Sequence, residues 1–233
     1  MSRLTRRTLL ATGALLALPR GALASERAAS AQGAPSAAIR SEGAVALQPL
    51  GTAPPEADLA LVERALGALY ALRVERLPAI ALPRSAFYPP RRRWRAEKIL
   101  DFLDAKRPDT ALRVLGITTA DISTTKDEHP DWGILGLAQL GGAPCVVSSF
   151  RCRRGAKSAE HARVRLGKVV VHEVGHTLGL PHCPTPGCLM EDAGGKAVTT
   201  DREYDLCSLC RGRLAHLGWK LGAGPPPWER PAR

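Results

Sequence analysis

His172–Met190 reads HEVGHTLGLPHCPTPGCLM, a run that gathers three of the chain's six histidines, two of its six cysteines and one of its two methionines. It continues AEHARVRLGKVVV (159–171), and Ser158 ahead of that stretch is a good N-cap, so the spacing predicts a long helix over about 159–179. At 3.6 residues per turn His172 and His176 stand one above the other, while Val170, Val174 and Leu178 turn to the opposite side and can pack on a sheet. Glu173 is rotated about 100° from His172, off the direction of the pair but within reach of a water that a metal there would hold. That is the position of a base, not of a ligand. Gly179 tolerates the left-handed conformation that ends helices, which would let the chain turn and bring His182 back as a third ligand. Three neutral imidazoles leave one position of a tetrahedral zinc open, as a catalytic rather than a structural site requires. HExxH alone arises readily on amphipathic helices; the extended HExxHxxGxxH is far more specific. His129, His161 and His216 lack such neighbours and are expected to be ordinary histidines, the first of them in KDEHPDW, read as an acidic loop without calcium-ligand spacing.

The cysteines form a second constellation. Cys183 and Cys188 are followed by Cys207 and Cys210, the last two as CSLC at the start of a further helix. Four thiolates with short spacers suit a closed tetrahedral zinc, with two disulfides as the competing arrangement in an exported chain. A CxxC pair rarely closes on itself as a structural disulfide, which favours the metal. Cys145 and Cys152 lie seven positions apart in a segment read as extended, so about 23 Å would separate them, far beyond disulfide reach, and they are expected not to bridge each other.

Upstream, the pattern alternates between the two periods of regular structure. VALQPL (45–50) suits a strand, and Leu59, Val62, Leu66 and Leu69 recur as on an amphipathic helix. RVERLPAIAL reads as a second strand, RRWRAEKILDFLDAK as a second helix and ALRVLGIT (111–118) as a third strand. ILGLAQL (134–140) and CVVSSF (145–150) flank Gly141-Gly142 as the arms of a hairpin. The predicted fold class is therefore α/β: a twisted mixed sheet with an antiparallel edge strand, packed on the long helix that carries the histidines. A small zinc-stabilised subdomain (183–219) would follow it.

At 233 residues with 45% apolar content the chain suits one domain with extensions, read as 45–221. Residues 1–24 (MSRLTRRTLLATGALLALPRGALA) read as a cleavable signal peptide with Arg6-Arg7 in the twin-arginine position, and the apolar run is too short to span a bilayer. The expected location is outside the cytoplasm of a bacterial cell, with no permanent membrane span. An Ala/Ser/Gly-rich linker (25–44) and a Pro-rich tail (222–233) flank the domain. The formal charge is +11, and removing the four arginines of the leader leaves +7. The runs RRRWR (91–95) and RCRR (151–154) lack the aromatic interleaving of a nucleic-acid face, so no nucleic-acid partner is expected.

His172, Glu173, His176, Gly179, His182, Cys183, Cys188, Met190, Cys207 and Cys210 together resemble the signature of the archaemetzincins, a branch of the metzincin metallopeptidases. Weaker similarity runs upstream, so that the resemblance covers most of 45–219. It implies two zinc ions per chain: a catalytic one on His172, His176 and His182, with Glu173 as general base, and a structural one on the four cysteines. Met190, otherwise a core filler, would form the turn beneath the catalytic metal. One departure is that the sixteen residues between Met190 and Cys207 are one fewer than the family spacing, which bears on the loop rather than on the ligands. The implied activity is hydrolysis of peptide bonds in a peptide or protein substrate by a zinc-activated water, as an endopeptidase or an aminopeptidase; the oligomeric state expected of the chain is a monomer. The competing expectation is a zinc-stabilised basic binding module without turnover.

Overall fold

The computed structural model describes residues 44–230; the signal-peptide reading of 1–24 and the linker up to residue 43 lie outside the described residues, as do 231–233. The chain opens with β1 (Ala44–Leu50), α1 (Glu56–Tyr70) and β2 (Arg73–Arg76). Short strands β3 (Phe87–Tyr88) and β4 (Arg93–Arg95) lead into α2 (Ala96–Lys106) and β5 (Ala111–Thr118). Two hairpins follow, β6 (Ile122–Lys126) with β7 (His129–Ile134) and β8 (Gly136–Ala138) with β9 (Pro144–Ser148). One helical turn, α3 (Ser149–Cys152), precedes the long α4 (Ala159–Thr177), and α5 (Ser208–His216) comes last.

The main sheet has the order β2-β1-β5-β9-β8, parallel except for β8, which pairs antiparallel with β9 at the edge. Its central strands are buried on both faces, as parallel strands covered by crossover helices must be. Val45, Leu47, Leu115 and Val147 pack with α1 and α4 on one face, whereas Ala46, Val114 and Val146 meet Ile99 and Leu103 of α2 on the other. Each such side chain withdrawn from water contributes about 1.5–3 kcal/mol. The long helix therefore lies across the sheet beside the β8 edge, with its valines inward.

Several elements differ from the sequence expectation. The helix expected from RRWR onward begins only at Ala96, because Arg93–Arg95 instead pairs as β4 with β3 and β6. KDEHPDW is no loop: it closes the β6–β7 hairpin, with Asp127 at φ 50° in the turn. These short strands build a second sheet, β3-β4-β6-β7, that alternation alone did not reveal. The basic runs are spent on holding it: Arg93 binds Asp121 at 2.9 Å and Asp131 at 2.7 Å, and Arg151 binds Asp121 at 2.7 Å. RVERLPAIAL is strand only over Arg73–Arg76, and the edge strand spans three residues of ILGLAQL. The extended reading of CVVSSF also fails after Ser148, whose hydroxyl accepts from the Phe150 N–H at 3.1 Å and turns the chain into α3; Cys145 and Cys152 are buried and free. At the far end, residues 222–230 add no helix or strand yet pack on the domain. The Gly222 N–H donates to the Leu69 carbonyl at 3.1 Å, and the buried Trp228 donates to the Tyr204 carbonyl at 2.8 Å.

Candidate metal centre

α4 presents His172 and His176 one turn apart, and each ring is fixed by its Nδ1. His172 Nδ1 meets the Leu189 carbonyl at 2.8 Å and His176 Nδ1 meets the Leu180 carbonyl at 2.7 Å. A carbonyl can only accept, so both Nδ1 atoms carry the proton and both Nε2 atoms expose a lone pair. Those two Nε2 atoms face each other at 3.0 Å. Two acceptors in that position repel unless a cation lies between them, and tetrahedral zinc with bonds of about 2.0–2.1 Å to nitrogen brings its ligands to a similar separation. The residues present fit the ion. Burial, then the neighbouring His176, pushes His172 down to about 3, and burial likewise lowers His176, so both stay neutral.

Past Thr177 the helix ends, Gly179 takes φ 100°, and the chain returns so that all three histidines offer ligand nitrogens within 4.8 Å of one another. His182 is half exposed and sits 3.8 Å from Asp192 Oδ2. Met190 is fully buried directly beneath the pair: a Cβ at Gly175, between the two histidines on α4, would lie 2.6 Å from the Met190 sulfur. Glu173 is buried at 8% exposure, and burial pushes its carboxyl up to about 8. It points at Gly136 of β8, where a Cβ would come within 2.6 Å of its Cγ. The absence of a side chain at 136 is thus what lets the carboxyl stand between the helix and the edge strand. The hairpin is tied to the same helix, since the Gly141 N–H donates to the His176 carbonyl at 2.9 Å.

The four cysteines gather as expected. Cys183 Sγ and Cys207 Sγ are 3.6 Å apart, and Cys188 Sγ and Cys210 Sγ are 3.7 Å apart. Zinc–sulfur bonds of about 2.3 Å make the edge of a regular tetrahedron about 3.8 Å, whereas a disulfide needs about 2.05 Å, so the spacing fits a thiolate cage. The hydrogen bond with Cys210 pulls the Cys188 thiol down to about 5, and Cys210 is pushed up in turn. The short Met190–Cys207 loop does not prevent this convergence: Leu189 N–H donates to Asp205 O at 3.1 Å and Tyr204 N–H to Gly187 O at 3.0 Å, which brings the two cysteine-bearing ends together. The Cys183 N–H also donates to the Met190 carbonyl at 2.7 Å, so the cysteine cluster and the turn under the histidines form one unit.

A cleft of about 640 Å³ runs past the histidines, bordered by Gly136, Leu137 and Ala138 of the edge strand and by Thr200 and Glu203. Gly136, Glu203 and the two carbonyls that orient the imidazoles were not singled out in the sequence. Gly136 interrupts the apolar run of its strand, which is a signal in principle; backbone carbonyls leave none.

Residues 68–216 match the profile of peptidase family M54. The archaemetzincin of Haloarcula marismortui is 31% identical over 138 residues, covering 56% of this chain and 76% of that protein. That of Pyrococcus abyssi is 28% identical over 182 residues, covering 74% and 94%. The crystal structure of Archaeoglobus fulgidus archaemetzincin with malonate superposes with a TM-score of 0.61 at 28% identity, over 72% of this chain and 98% of that one. The Methanopyrus kandleri archaemetzincin shares the fold at a TM-score of 0.66 and 24% identity, over 76% and 97%. With its paired imidazoles, its buried glutamate and its cysteine cage all standing within or beside the matched span, the chain belongs to peptidase family M54, the archaemetzincin family of zinc metallopeptidases.

Proposed function

We propose that the protein hydrolyses peptide bonds with Glu173 as general base, and that it holds two zinc ions, one on His172, His176 and His182 and one on the four cysteines. The facing Nε2 atoms at 3.0 Å with Glu173 buried beside them carry this reading. Zinc among the three imidazoles would polarise the scissile carbonyl and make a nearby water easier to deprotonate. Glu173 would take the proton of the attacking water and hand it to the leaving amine, the dry setting making its carboxyl a willing proton carrier. β8 is the outer strand of the main sheet and borders the cleft, so an extended peptide can add to it through main-chain hydrogen bonds. The cysteine cage would hold in place the segment that carries His182 and Met190, so that one metal site preorganises the other. Cleavage of a peptide library by zinc-loaded protein tests the reading: cutting by the wild type and none by Glu173→Ala that retains zinc is the expected result, whereas zinc binding with no cut peptide would favour a binding module. The same library separates endopeptidase from aminopeptidase action.

We infer as well that the protein is exported folded. Free thiolates are at risk outside the cytoplasm, and loading the cage before export shields them. Arg6→Lys with Arg7→Lys should strand zinc-bound precursor in the cell, as fractionation with metal analysis would read; unchanged export would refute the twin-arginine route.

A further inference from the structure

Glu203 lines the cleft that starts at the histidines, yet it is only 2% exposed and, among the described residues, has no hydrogen bond or ion pair. Its surroundings explain why. The 3-10 turn Ala197–Asp201 is clasped to the first half of α4, where Asp201 binds Arg165 and His161, each at 2.7 Å. Lys168, one turn before His172, is committed to the Thr200 carbonyl at 2.8 Å. Arg202, the adjacent cation, is taken by Glu191. These bases make their hydrogen bonds elsewhere and reach Glu203 only through their charge: burial pushes its carboxyl up to about 8, Lys168 and Arg202 pull it partly back, and it stands at the cleft wall without a hydrogen-bond donor. A desolvated carboxyl without donors is costly, and the cost is relieved by a ligand that brings both N–H groups and positive charge. Apart from the histidines, the ionisable residues of the cleft wall are Glu173, Asp192, Glu203 and Lys126, so a cationic side chain entering it meets a single base. Val169, Ala193 and Leu135 supply apolar surface along the same cleft, which suits the methylene stem of a long basic side chain.

We propose that Glu203 is a specificity-determining residue that selects peptides with a lysine or arginine beside the bond to be cleaved, its carboxylate receiving the ammonium or guanidinium at the wall of the cleft that the histidines border. This deepens the peptidase reading and rests on it. A peptide series that varies one position at a time among Lys, Arg, norleucine and Glu tests it. The wild type should prefer Lys or Arg over norleucine at one position by at least about tenfold in kcat/KM and should reject Glu there. Glu203→Gln, nearly the same shape, should lose that preference, the kcat/KM values for the Lys, Arg and norleucine peptides converging to within about threefold of one another. Calorimetric binding of the same peptides to zinc-loaded Glu173→Gln, alone and with Glu203→Gln, reads the selection without turnover. Absence of a basic preference in binding or among the peptides that are cut, or its survival in Glu203→Gln, would overturn the proposal. Binding preference without any cleavage would uphold the role of Glu203 and sink the peptidase reading instead.

Discussion

Gly136 and Glu173 face each other across the gap between β8 and α4, and the proposed proton transfer depends on both. Gly136→Ala puts a methyl 2.6 Å from Glu173 Cγ, so the carboxyl or the strand must move. A displacement of about 1 Å costs on the order of 100-fold in rate. The expected outcome is a loss of kcat of that order with both metals retained, read by kinetics beside metal analysis. Glu173→Gln keeps the shape and removes the base, and should lower kcat by about 10²–10⁴ with the zinc content unchanged. If both variants lose metal instead, the two residues maintain the site rather than the proton transfer.

At the level of helices and turns, α4 is held by its cap and by the clasp to the 3-10 turn. Ser158 Oγ accepts from the His161 N–H at 3.0 Å, and Ser158→Ala should cost about 1 kcal/mol in denaturant unfolding. Asp201 gives the clasp a pH dependence. The Arg165 guanidinium holds its carboxyl down at about 2, below the ordinary 3.8, so the contribution is complete above about 4 and is lost as pH falls from there towards 2. Asp201→Asn should flatten the acid limb of a stability–pH curve over that window and leave the curve above it parallel to the wild type. A limb unchanged in slope would assign acid sensitivity to other carboxylates.

For the entire chain, two clusters of different openness predict two metals of different lability. A mild chelator should take the histidine-bound ion first, with activity lost and far-UV dichroism kept, and the cysteine-bound ion later, with loss of fold in 183–219. Metal analysis that gives one zinc per chain, or disulfides among the four cysteines, would contradict this. The C-terminal stretch belongs to the same unit. Trp228 is buried against Gly167 of α4 and Leu61 of α1 lies beside it, so Trp228→Ala should destabilise by about 3 kcal/mol, as read in thermal or denaturant unfolding. A variant as stable as the wild type would make 222–230 dispensable.

The clustered histidines and the helix that carries two of them were legible in the primary structure because their geometry is local: i and i+4 share a helix face whatever the helix packs on, and Gly179 ends the helix by its own backbone freedom. The parallel strands and the β8–β9 hairpin followed from periodicity for the same reason. The second sheet was not legible, since Arg93–Arg95 and His129–Ile134 are strands only through partners far along the chain and through ion pairs to Asp121 and Asp131. Nor could spacing reveal which carbonyls orient His172 and His176, that Gly136 makes room for Glu173, or that Glu203 is left without a donor at the cleft. Apart from His176 and Leu180, which are four residues apart, these groups lie far from one another along the chain, and only the packing of α4 against the sheet edge and the 189–203 segment brings them together.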